Sequence, residues 1–139
     1  MSRMPSLAEV NAFFEEAFPG SGARPVITGM REDEAVARLE AGPQHLRPGN
    51  YVSGPTQMSL ADTVTYVAIF TRIGITPMTV TTSLNMTFLR PLIADVVIAK
   101  ASLLTLGRTL AVAEVEIRGE DSARPASHAV VTYAIPRKD

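Results

Sequence analysis

The stretch Ser53–Ile73 reads SGPTQMSLADTVTYVAIFTRI. Its apolar residues Met58, Leu60, Ala61, Val64, Val67, Ala68, Ile69 and Phe70 cover most of the circumference of a helix. The segment therefore reads as one long helix enclosed by the rest of the chain, not laid on a surface. Gly54 and Pro55 open it, because proline at the first helical positions has a φ already suited to a helix and lacks only an N–H that would have no partner there. Gly74 stands where a left-handed C-cap would close it. One stripe departs from the apolar pattern: Ser59, Asp62, Thr63 and Tyr66 follow at i, i+3, i+4 and i+7 and share one face. Asp62 lies in the third turn, too deep to cap the N-terminus, so its carboxylate needs another reason to be there.

Working outward toward the N-terminus, the run AGPQHLRPGNY from Ala41 to Tyr51 is rich in Gly and Pro and reads as an irregular loop. Before it, Pro25–Met30 and Ala35–Glu40 read as a short hairpin around the charged turn Arg31–Glu34. A first helix is expected over about residues 6–18: Ser6 and Glu9 have capping-box spacing. Leu7, Val10, Phe13, Phe14, Ala17 and Phe18 then recur at helical intervals until Pro19 and Gly20 stop the run.

Beyond Gly74 the composition turns β-branched and alternating. Met78–Arg90 is the first strand, with Thr79, Thr81, Ser83, Asn85 and Thr87 opposed to Val80, Leu84, Met86 and Phe88. Asp95–Leu106 and Thr109–Arg118 flank Gly107-Arg108, a pair suited to a two-residue type II′ turn, and should be antiparallel neighbours. Ala111, Ala113, Val115 and Ile117 alternate with Glu114, Glu116 and Arg118, the pattern of a strand buried on one face and wet on the other. Ser127–Ile135 is the last strand, and Pro136–Asp139 a polar tail free to move. A long apolar helix set among antiparallel strands implies an α+β domain in which a curved sheet wraps the helix.

Composition narrows the function. The chain has 139 residues and is read as a single domain over 1–139, long enough to bury about two thirds of its unfolded surface. It contains no Cys, which removes a disulfide framework and a thiolate nucleophile. With only His45 and His128, a metal site is not expected. A formal charge of −1 without a basic stripe points away from nucleic acid. The first residues lack the apolar core of a signal segment, and no apolar run is long enough to span a bilayer, so a cytoplasmic protein without membrane partners is expected.

The ordered set Ser53-Gly54-Pro55, Leu60-Ala61-Asp62, the run TTSLNMTFLRP from Thr81 to Pro91, and Leu106-Gly107-Arg108-Thr109 resembles the hotdog-fold acyl-CoA thioesterases of the PaaI type. The resemblance covers about residues 44–135. Members of that family open the helix with His-Gly-Gly and carry an acidic residue nine positions after the His, acting as nucleophile or general base. Here Gly54 and Asp62 match, Ser53 replaces the His and Pro55 the second Gly. The upstream Asn of many members falls at Arg47. The resemblance further implies a homodimer, or a homotetramer built from two dimers, with each active site across a dimer interface.

Thioester hydrolysis needs a base or nucleophile, donors for the developing oxyanion and a grip on the carrier. Asp62 is the first of these by resemblance, with a satisfied buried carboxylate as the plain structural alternative. The helix N-terminus offers the oxyanion donor. Pro55 has no N–H, leaving Gly54 or Thr56, and the resemblance favours Gly54. Thr81 and Tyr66 are further catalytic candidates, set against ordinary strand and core roles. Ser53, Arg47, Arg90 and Arg108 are candidates for substrate binding, the last two through coenzyme A phosphates. His45 and His128 are read as structural or solvent-facing, with His45 kept in reserve because its loop leads to the site. No cofactor is implied, since coenzyme A enters with the substrate. A non-catalytic acyl-thioester binder and a hydratase or dehydratase on the same fold are the alternatives.

Overall fold

The protein is described here by a computed structural model covering residues 4–18 and 24–136. Chain order runs α1 (Leu7–Ala17), β1 (Val26–Arg31), β2 (Glu34–Glu40), a 3-10 turn at Pro43–His45, β3 (Leu46–Arg47), β4 (Tyr51–Val52) and α2 (Gly54–Ile73). Then come β5 (Val80–Phe88), β6 (Val96–Leu106), β7 (Leu110–Gly119) and β8 (Ser127–Ala134). Six strands form one sheet in the order β1-β2-β6-β7-β8-β5, and every pairing is antiparallel. Helix α2 touches all six. A single helix can do that only if the sheet curves around it, so helix and sheet are the two layers expected from sequence.

Close packing of these layers explains the alanines. Ala35 pairs with Ala101 and Ala37 with Ala99 across β2 and β6, and Ala111 and Ala113 continue the inward face on β7. Alanine is a weak strand former, but its small side chain lets α2 approach the sheet and bring the bulk itself. Val64 to Thr71 are all buried, including Phe70 and Ile69 at the centre. The first turns of the helix are less enclosed than the apolar pattern implies, and Met58 is exposed.

Both helix ends are fixed by identifiable groups. Ser53 is the N-cap of α2, its Oγ accepting the Thr56 N–H at 3.2 Å. At the other end Gly74 has φ 82° and ψ 179°, not the left-handed helical cap expected but an extended mirror conformation open almost only to glycine. Helix α1 carries the expected capping box, Ser6 and Glu9 exchanging bonds of 2.9 and 3.1 Å. It is pinned to the sheet edge by Asn11, whose amide pairs with both backbone groups of Ile27 at 3.0 Å. The expected stop at Pro19 and Gly20, and the end of the polar tail, lie outside the described residues.

Two expectations about the connections need correction. The loop before α2 is not wholly irregular: Leu46 pairs with Val52 and Arg47 with Tyr51, with Gly49 and Asn50 at positive φ supplying the turn. The β6–β7 connection is not a type II′ turn on Gly107-Arg108. Leu106 pairs with Ala111 and the Gly107 N–H bonds to the Leu110 carbonyl, so the loop is Arg108-Thr109. Positive φ among the described residues is confined to Asp33, Gly49, Asn50 and Gly74. The strand Val80–Phe88 is an outer edge of the sheet and largely exposed, with nothing among the described residues pairing on its other side.

Candidate active site

Thr81 and Tyr133 stand opposite each other in the β5–β8 pairing, on the face turned toward α2. Between them and the helix lies Asp62. Its Oδ1 accepts the Thr81 hydroxyl at 2.5 Å and lies 3.0 Å from the Tyr133 hydroxyl, which also reaches the Asp62 backbone carbonyl at 2.8 Å. Among the described residues nothing donates to Oδ2. One carboxylate oxygen is thus held and the other is open. Burial pushes the Tyr133 phenol well above its ordinary value, with the neighbouring Asp62 charge adding to the rise, so Tyr133 remains a neutral donor.

The half-buried Asp62 opens onto a cavity of about 700 Å³ whose wall includes Ser59, Thr63 and Tyr66. The whole polar stripe read from sequence therefore faces one space. Tyr66 contributes its ring: its hydroxyl donates to the Pro77 carbonyl at 2.7 Å, and its ring stacks on Tyr133 at 5.8 Å and meets Phe14 edge-on at 6.0 Å. Burial raises its phenol as well. This geometry fits the core role set beside the catalytic one for Tyr66.

A second cavity, about 500 Å³, lies at the start of α2 and is lined by Gly54, Gln57, Arg47, Phe88 and Arg90. The Thr56 N–H is engaged by Ser53, and Pro55 has none, which leaves the Gly54 N–H as the donor at this terminus. A Cβ on Gly54 would stand 3.3 Å from the Phe88 ring, so the missing side chain keeps the approach narrow but open. Ser53, expected toward substrate, is turned inward, its Oγ on both Thr56 groups and its N–H on the His45 carbonyl. His45 is buried, its Nδ1 accepting the Gly42 N–H at 2.8 Å, and so serves the loop that seats the helix.

The arginines separate. Arg47 is exposed at the second cavity. Arg90 lines it too, but its guanidinium bonds the Pro125 carbonyl. Arg108 is exposed at the β6–β7 tip and lines neither cavity. His128 lies on the outer sheet face, 3.1 Å from Glu114. Gly54 and Asp62, expected to serve one carbonyl, are eight residues apart on one helix, roughly 12 Å along its axis. Within one subunit they face different cavities.

Residues 49–126, more than half the chain, match the thioesterase superfamily. This chain belongs to that superfamily. Over 98% of its length it superposes on 95% of a candidate thioesterase from Silicibacter sp. TM1040, with a TM-score of 0.88 and 33% identity. It also matches the phenylacetic acid degradation protein PaaI of Thermus thermophilus at 27% identity and TM-score 0.72, covering 88% of this chain and 98% of that one. A Haemophilus influenzae thioesterase shares the fold, with TM-score 0.85 at 22% identity over 97% and 93% of the two chains. No curated protein sequence matches. The hotdog fold and the thioester hydrolase class expected from the sequence both hold.

Sequence reading of the thioesterase missed one group at the site, Tyr133. The signal was present: Tyr133 falls on the buried alternation of the last strand, after Ala129 and Val131, and a buried phenol requires a hydrogen-bond partner. Among the described residues no side-chain cluster could hold a metal, and no helix is long and apolar enough to cross a membrane.

Proposed function

We propose that this thioesterase hydrolyses acyl-CoA in active sites shared between two subunits of a homodimer. Asp62 of one subunit acts as nucleophile or general base through its open Oδ2, and the Gly54 N–H of the partner subunit stabilises the oxyanion. The observation that carries this reading is the pairing of a held Oδ1 with an unengaged Oδ2 at the mouth of a cavity. A carboxylate fixed by one oxygen at a cavity wall can present the other to a bound carbonyl.

Sharing follows from length: on one helix Asp62 and Gly54 are too far apart to flank a single carbonyl carbon. The exposed edge strand β5 supports dimerisation, since its unpaired backbone groups and apolar residues Val80 and Phe88, 56% and 49% exposed, suit an antiparallel second copy. Arg47 and Arg90 flank the helix start, where the carrier would leave the site; Arg108 requires a neighbouring subunit to act on it. Two such dimers pairing into a tetramer, and a cytoplasmic location matching coenzyme A substrates, belong to the same reading.

Thiol release from a panel of acyl-CoAs, measured for wild type and Asp62→Asn, tests the proposal. The variant should lose at least about 100-fold in kcat, the scale of general-base help, while still binding a non-hydrolysable acyl-CoA analogue. Near-normal turnover by Asp62→Asn would remove Asp62 from the mechanism.

A further inference from the structure

The cavity at Asp62 carries a second charge at a distance. Arg24, half-buried just before β1, lines its wall, and its Nη1 donates to the Phe14 carbonyl at 2.5 Å. That carbonyl lies in the last turns of α1 and also accepts the Phe18 N–H at 3.0 Å. A guanidinium has five N–H donors in a planar fork. Among the described residues no carboxylate pairs with this one.

From Asp62 the wall runs through Tyr133, whose hydroxyl reaches the carboxylate, to Tyr66 stacked on it, and on to Phe14, whose carbonyl seats Arg24. An aromatic wall is thus bounded by a negative charge at one end and a positive charge at the other. Capping α1 occupies a single donor, which leaves the others of this half-buried guanidinium available for an anion in the cavity.

We propose that the cavity receives an acyl group with an apolar stem and a terminal carboxylate, which Arg24 binds through its remaining donors while the thioester carbonyl lies at Asp62. The inference rests on the acyl-CoA hydrolase reading and names the acyl class. A plain alkyl terminus would strip water from the guanidinium and return no hydrogen bond, so discrimination against it should be larger than a methylene difference gives.

Adipoyl-CoA and hexanoyl-CoA have equal chain length and differ at the far end, carboxylate against methyl. For thiol release, kcat/KM should favour adipoyl-CoA by at least about tenfold, the size of one charge-assisted hydrogen bond. Arg24→Met should bring the ratio close to one, chiefly through KM for adipoyl-CoA, and Arg24→Lys should retain part of it. Equal losses on both substrates with a lowered melting temperature would mean a helix cap only and overturn the proposal. A wild-type preference for hexanoyl-CoA would overturn it too. Calorimetry of the same two thioesters with Asp62→Asn, with and without Arg24→Met, separates this inference from the hydrolase reading. A carboxylate preference in affinity that Arg24→Met abolishes sustains the acyl assignment even if no thiol is ever released; equal affinities sink it.

Discussion

At the scale of single residues, the site is a carboxylate with unequal oxygens. Tyr133 holds Asp62 by a phenol that burial keeps protonated, and Tyr133→Phe removes that bond without disturbing the ring stack on Tyr66. Turnover should fall by about tenfold as the carboxylate loses its fixed orientation, with a stability loss of about 1 kcal/mol for the deleted hydrogen bond. Steady-state kinetics and a denaturant melt check the pair of effects. The raised phenol also sets a pH dependence. Above the ordinary value of 10.0 the unfolded chain releases the Tyr133 proton while the folded chain retains it, so stability should fall as pH rises past about 10. Tyr133→Phe should lessen that alkaline loss; a variant that melts at high pH just as wild type does would contradict the shift. Asp62 was legible in the sequence because a carboxylate deep in an otherwise apolar helix stands out by itself. Tyr133 was not, because its meaning depends on a strand register linking it to Thr81, and nothing local in the chain records that register.

At the scale of elements, α2 is held by its ends more than by its propensity. Ser53→Ala removes the cap on the Thr56 N–H and should cost about 1 kcal/mol of stability, whereas Ser53→Asp should preserve it. If Ser53 instead contacts substrate, Ser53→Ala will change KM and leave the melt unmoved. Gly74→Ala forces a side chain into a backbone region that belongs almost only to glycine and should cost about 1 to 3 kcal/mol, measured by the same denaturant melts. The helix could be read from its long, nearly all-round apolar run between caps and β7 from its alternation, since both patterns extend over ten residues or more. The short ladder of β3 and β4 could not, because two-residue strands carry no period. The β6–β7 turn was misread for a related reason: Gly107 marks a bend, but the pairing of Leu106 with Ala111 decides which residues form the loop.

At the scale of the whole molecule, the order of strands matters more than their existence. Each long strand was visible in sequence, yet no local signal shows that Val80–Phe88 lies at the sheet edge beside β8, leaving its other side unpaired. The proposed shared site turns on that edge, and it makes a prediction that a self-contained subunit cannot meet. Asp62→Asn removes the base, while Gly54→Val fills the oxyanion approach and presses on Phe88, so each homodimer should be nearly inactive. If base and oxyanion donor come from different subunits, a hybrid of the two variants gathers both defects into one site and leaves the other site intact. Refolding or exchanging an equal mixture gives half hybrids, each with one working site, so activity should return to about a quarter of wild type. The exchange itself is followed by light scattering and by mass-labelled subunits. Hybrids that form and remain inactive would place Gly54 and Asp62 in separate functions, and the dimer would then be an assembly without a shared reaction.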